Sequence, residues 1–391
     1  DENNNFKPLP FSFSRASSAT VVNQSGLIET VGSGEPRIDF EGNTKGALLL
    51  EPQRTNSITY SEDFSQSAWA KSGTSVVSGF TSPYKTENAF KLVESTANQA
   101  HTITSNSGVV TSGATTTKSI IVKPNGRRWI LLLDINKPAS RAWFDLELGV
   151  VGSLQSNTIS SNIEKLSNGY FRCSTTSTVT STSSTLRMDI VQGNNVTTGY
   201  QGDGTSGVYI YGAQLEVGSY ATSYIPTSGS AVTRVGEVCN QNGISQVINS
   251  TEGVLYVETH NVLSGYDNNI YLTDGTNSER VGILFSNSTG ALMFLIRVDE
   301  VYMASITIPA NQVNWEQTNK IAIKYKTNDM SFWLNGTKVA TDTSGTMFSA
   351  NTLTQLGFNS GSGGTFYGET RDLRVYNTAL TDAQLTALTS N

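Results

Sequence analysis

Apolar residues along this chain come in short alternating runs, not in helical stripes. The stretch Thr370-Arg-Asp-Leu-Arg-Val-Tyr376 sets Leu373 and Val375 on one face and charge on the other, the pattern of a half-buried strand. Similar β-branched and aromatic runs recur throughout, separated by Gly, Asn and Ser turns. The Asn335-Gly336 pair is a strong hairpin signal, because a type I′ turn needs positive φ at both central positions. One amphipathic helix is predicted, at the C-terminal end. Thr381 stands at its N-cap, Gln384 closes a capping box, and Leu380 and Leu385 flank the cap as a hydrophobic staple. The pattern predicts an all-β protein: two β-sandwich domains in tandem, with an N-terminal extended arm and one short C-terminal helix.

Three zones separate along the sequence. Residues 1–50 hold strand-sized pieces but too little apolar material for a core of their own, and read as an arm packed on the first sandwich or on a neighbouring subunit. Residues 51–235 form the first sandwich, which leaves through the Pro/Ser/Gly-rich run Tyr224 to Arg234; residues 236–391 form the second. Gly207–Val217 and Gly364–Val375 both place Gly and aromatic residues before an alternating strand, a shared way of closing a sandwich. The tract Thr175 to Thr185 is nearly pure Ser/Thr and reads as a solvated strand and loop.

Composition narrows the chemistry. A net charge of −6 and a pI near 5.1 give no electrostatic reason to bind nucleic acid or an anionic membrane. The sequence contains no 18-residue apolar stretch to insert into a bilayer. It begins Asp1-Glu-Asn-Asn-Asn without Met or a signal-like apolar region, as expected where something upstream was removed or trimmed. Cys173 and Cys239 fall in different zones and read as buried thiols, without metal-type spacing. His101 and His260 are the available imidazoles, and each reads first as a polar residue on a strand. Asp145 and Glu147 are the nearest approach to a glycosidase pair, at i, i+2 before the Gly149 turn, with a solvated strand edge as the ordinary reading. Sugar binding needs flat apolar surface with polar groups beside it. Trp129 and Trp143 on successive strands, and Tyr266 in the loop Tyr266-Asp-Asn-Asn269, are the candidate ligand contacts. Trp315 and Trp333 read as packing.

The run Phe366 to Leu380 resembles the closing motif of concanavalin A-like, laminin G-type lectin domains, Phe-x-Gly-x-Ile-Asp-Asp-Val-Arg-Ile-Tyr-Asn-x-Ala-Leu. Trp315 with Lys320 to Tyr325 is similar to that family's Trp strand, and Phe332-Trp-Leu-Asn-Gly336 to its hairpin; Arg371 stands where the first Asp of Asp-Asp is usual. Tyr60 to Trp69 resembles the opening of jelly-roll carbohydrate-binding modules. That likeness makes Glu62, Asp63 and Glu94 candidate ligands for a Ca²⁺ ion, with solvated loop acids as the alternative. Asp267, Asp274 and Asp372 are similar acids in the second zone. Four further segments resemble bacteriophage virion proteins of the fibre, tail or head-decoration kind: Ser14 to Thr20, Leu48 to Asn56, Tyr200 to Gly207 and Gly212 to Thr227.

The resemblances imply that the sandwiches are jelly-roll. They also imply a non-enzymatic virion protein, located on the particle, and within that class a fibre or receptor-binding subunit adhering to cell-surface glycan. Other virion proteins and further copies of the chain, in a homotrimer, are the implied partners, without nucleic acid or membrane insertion. The alternatives are a decoration protein that binds no sugar, and a polysaccharide depolymerase or lyase. One sandwich scaffold hosts all three.

Overall fold

The computed structural model describes residues 11–42, 44–137, 139–263, 265–358 and 364–390, so the Asp1 to Asn5 start lies outside the described residues. The fold is all-β, as the alternating pattern predicts, and divides into two units. One comprises Ser17–Gly32 and Gln53–Val235; the other comprises Asp1–Ala16, Ser33–Pro52 and Gly236–Asn391.

The first unit is a sandwich of two six-stranded antiparallel sheets. One runs in the order Val150–Leu154, Arg141–Asp145, Trp129–Leu133, Arg187–Val191, His101–Thr104 and Ala70–Ser72. Its partner runs Ser160–Lys165, Phe171–Thr178, Thr115–Asn125, Gly207–Val217, Ala89–Glu94 and Thr74–Phe80. Alternate residues such as Ile130, Leu132, Ile190, Ile120, Val122 and Ile210 meet in the core between them. The hairpin Ala19–Val22 with Ile28–Val31 belongs to this unit and contributes Ile28 to an aromatic cluster with Tyr170, Tyr211 and Tyr224.

The Ser/Thr tract departs from expectation. Thr175, Thr176 and Ser177 are buried. They are tolerated there because their hydroxyls are spent: Thr117 and Thr176 hydroxyls lie 2.8 Å apart, and Ser177 Oγ accepts from the buried Lys118. Lys118 Nζ in turn sits 3.0 Å from Asp134 Oδ2, which also accepts from Ser184. A buried ion pair explains a polar tract better than solvent does.

The C-terminal unit pairs two seven-stranded sheets. The first runs Ser12–Ser14, Val238–Asn242, Gln355–Gly357, Asn268–Thr273, Arg280–Phe285, Leu292–Val298 and Val301–Ile308. The second runs Thr337–Asp342, Met330–Leu334, Asn319–Lys326, Glu252–His260, Gly368–Tyr376, Ala47–Leu50 and Arg37–Asp39. Leu373 and Val375 face the core as their alternation predicts. Asn335 and Gly336 turn the hairpin at φ 47° and 80°. Among the described residues the α-helix is Asp382–Thr389; the backbone N–H of Gln384 donates to Thr381 Oγ1 and the Thr381 N–H donates to Gln384 Oε1. Leu385 presses it onto Val254, Tyr256, Ala322 and Trp333, so Trp333 is packing.

Residues 11–52 are therefore shared between the units, giving three strands to one and a hairpin to the other. A buried charge network holds the three strands in place. Arg15 Nη1 lies 2.8 Å from Glu237 Oε1, Arg37 forks onto Glu237 at 2.7 and 2.5 Å, and Arg37 Nη1 reaches Glu51 at 2.8 Å.

Candidate functional site

In the first sandwich, strand Trp129–Leu133 is apolar at every position and buries both faces. Ile130 and Leu132 enter the main core, while Leu131 and Leu133 join Trp143 and Val191 in a small cluster on the opposite face, with Trp129 against it. Trp143 pairs with Leu131 and Trp129 with Asp145, so the two indoles are diagonal neighbours on one face. Trp143 is fully buried, and its indole N–H donates to the Val196 carbonyl at 2.9 Å. Asn194 Oδ1 accepts from the Ser153 N–H, and a side chain at Gly152 would collide with both Asn194 and Trp129. Trp143 thus braces the sheet, while Trp129 stays half-buried beside the Arg128 guanidinium.

Asp145 and Glu147 share that guanidinium. Arg128 donates to Asp145 at 2.7 and 2.6 Å and lies 2.8 Å from Glu147. Arg128 holds the Asp145 carboxyl below the usual carboxylate range, with the Leu148 and Glu147 N–H groups assisting. A carboxyl kept ionised in this way is unsuited to donate the proton that glycoside cleavage requires. Contrary to the solvated-edge reading, Asp145 is buried, because the Arg128 fork compensates its charge.

The three acids considered for Ca²⁺ are each committed elsewhere. Glu62 accepts from Asn88, Tyr211 and Tyr224; Asp63 accepts from Ser65 and Gln66. Glu94 takes the Arg127 fork at 2.7 and 2.5 Å, the Tyr200 hydroxyl at 2.6 Å and the Asp203 N–H at 2.8 Å. Burial alone would raise the Glu94 pKa, and these donors reverse the direction. Among the described residues no group of three or more acidic, His or Cys side chains is disposed to hold a metal ion. His101 is buried with its ring nitrogens 2.7 Å from the Gly73 carbonyl and 3.1 Å from that of Tyr200, a bracing position.

The C-terminal sandwich carries a more open surface. Tyr266 stacks edge-on against Tyr367 at 5.0 Å, and the next residue, Asp267, accepts from the Asn287 N–H at 2.8 Å. The same turn continues to Gly290, which borders an open depression of about 670 Å³. Its wall is the segment 310–316, where Asn311, Gln312, Asn314 and Glu316 are exposed. Trp315, half-buried, rests edge-on on Phe285 at 5.5 Å, and its indole N–H has no acceptor among the described residues. Amides offer donors and acceptors to hydroxyls, and a half-buried indole offers apolar contact. Reading Trp315 as packing captured the Phe285 contact and missed the depression. The legible signal was the Asn-Gln-Val-Asn run before Trp315, with amides on both sides of a core residue.

A laminin G-type model of the Concanavalin A-like lectin/glucanases superfamily matches residues 257–386, which include this depression. No curated protein matches the chain. Among solved structures it is similar to the CBM40 of a Ruminococcus gnavus IT-sialidase bound to α2,6-sialyllactose (18% identity, 38% of this chain and 92% of that one, TM-score 0.31). It is also similar to domain 4 of an extracellular arabinanase from Geobacillus stearothermophilus in complex with arabinotriose (13% identity, 44% and 83%, TM-score 0.32). A third likeness is to a tail fibre protein of an Escherichia coli phage (12% identity, 84% and 41%, TM-score 0.23). At these TM-scores the likenesses say nothing of what this chain binds.

Proposed function

We propose that the protein is an adhesin that binds cell-surface glycan reversibly and without turnover, as a fibre or receptor-binding subunit of a phage particle. The amide-walled depression beside Trp315, within the segment that matches a lectin superfamily model, is the observation that carries the reading. The virion assignment is supported by the four segment resemblances in the sequence. Single sugar contacts on so open a surface are weak, and several copies, as in a homotrimer, raise avidity ~10²–10⁴-fold without a new contact.

Multivalent display on a glycan array tests the reading. Binding should appear in the multimer and fall when Trp315 is replaced by Ala; a flat array under multivalent display would favour a decoration role. The absence of turnover is tested separately, by incubating the protein with host exopolysaccharide and assaying new reducing or unsaturated ends. Released fragments would overturn it. Labelling particles with an antibody to the chain tests the location: tip labelling is expected, and labelling flush with the capsid would oppose it.

A further inference from the structure

We propose that the depression beside Trp315 takes a neutral saccharide and turns away anionic ones, an inference that rests on the adhesion reading. Proteins commonly hold carboxylated or sulfated sugars with Arg or Lys, because an anion leaving water is best compensated by charge-assisted hydrogen bonds from a cation. Among the described residues lining the depression no side chain is cationic, and the charged one is Glu316, an exposed carboxylate. A sulfate or sialate seated there would share the depression with a like charge and find no cation among the lining residues to pair with. The net charge of −6 over the chain adds to the same repulsion. What the wall does offer is neutral: Asn311 and Gln312, both exposed, each supply two N–H donors and a carbonyl acceptor. That set matches hydroxyl and acetamido groups. Trp315, half-buried and held against Phe285, supplies apolar surface beside those amides.

The test compares two panels on the intact chain at physiological salt: neutral oligosaccharides of glucose, galactose, mannose and N-acetylhexosamine, and sialylated, sulfated or uronate-bearing ones. Binding confined to the neutral panel is expected. An exposed double variant, Asn311→Ala with Gln312→Ala, should weaken it by roughly 2–10-fold for each hydrogen bond lost, with an unchanged melting temperature. Glu316→Lys should admit the anionic panel, and continued exclusion of that panel by this variant would overturn the charge argument. Equal or tighter binding of anionic glycans by the unaltered chain overturns the class and leaves the adhesion reading standing. Binding to neither panel overturns both. Neutral binding that the double variant leaves intact places the sugar elsewhere and overturns the inference.

Discussion

Two titratable residues on adjacent strands of the C-terminal sandwich oppose each other. His260 pairs in register with Glu369. Glu369 is buried; its Oε1 accepts from Asn261 at 3.2 Å, Arg371 Nη2 lies 3.7 Å from its Oε2, and Asp39 adds a like charge. Burial, with Asp39 assisting, raises Glu369 from 4.5 to about 7. Burial, with Arg371 assisting, lowers His260 from 6.5 to about 4. The signs follow from linkage. Glu369 binds its proton more tightly folded than unfolded, so its stabilisation is complete below 4.5 and is lost as pH rises through 7. His260 binds its proton less tightly folded, so its stabilisation is complete above 6.5 and is lost as pH falls through 4. The two slopes cancel over much of pH 4.5–6.5. Glu369→Gln should therefore give a protein whose stability climbs with pH across that window, and His260→Gln one whose stability falls. Denaturant titrations at half-unit intervals of pH check both, and parallel slopes in the two variants would refute the pairing. In the first sandwich, Arg127→Ala leaves the buried Glu94 carboxylate without its cation. A loss of about 3–5 kcal/mol is expected, read as a drop in the unfolding midpoint.

At the scale of elements, legibility in the sequence followed whether the governing interaction was local. The C-terminal helix could be read because its cap is a four-residue matter, and Thr381→Ala should cost about 1 kcal/mol by chemical denaturation. The Asn335-Gly336 hairpin and the half-buried strand ending at Tyr376 were legible for the same reason. Strand Trp129–Leu133 was not, because a run apolar on both faces says that something covers each face without saying what. Here the second cover includes a segment some sixty residues on, whose Val196 carbonyl takes the Trp143 indole N–H. The tract Thr175 to Thr185 misled in the opposite direction, since its hydroxyls answer to Lys118 and Asp134, far off in sequence. The depression beside Trp315 depends on where the 286–290 turn meets the 310–316 segment, and no spacing in the chain encodes that approach.

Across the whole molecule, the four segments that resemble virion proteins share a physical role. Arg15 and Glu51 enter the network around Glu237; Tyr200 and Asp203 serve Glu94; Gln214 and Thr222 donate to Glu216. These residues hold buried charge in place, so what the resemblance covers is framework, whereas the depression beside Trp315 is walled by exposed side chains. A consequence concerns the N-terminal segment. It looks dispensable in sequence, having no core of its own, yet strands Ser12–Ser14, Arg37–Asp39 and Ala47–Leu50 complete both sheets of the C-terminal sandwich. Residues 236–391 alone would keep Glu237 and lose Arg15, Arg37 and Glu51 together. The orphaned carboxylate would have to be hydrated, and strands Val238–Asn242 and Gly368–Tyr376 would become bare edges open to pairing with other chains. The fragment 236–391 should therefore aggregate or unfold non-cooperatively. Glu237→Gln in the full chain should lower its stability by about 3–5 kcal/mol, because two buried guanidiniums lose a shared partner. Adding a peptide of residues 11–52 to the fragment should restore a cooperative transition. A fragment that melts cooperatively at the full chain's temperature without that peptide would show that the network is not what holds this sandwich together.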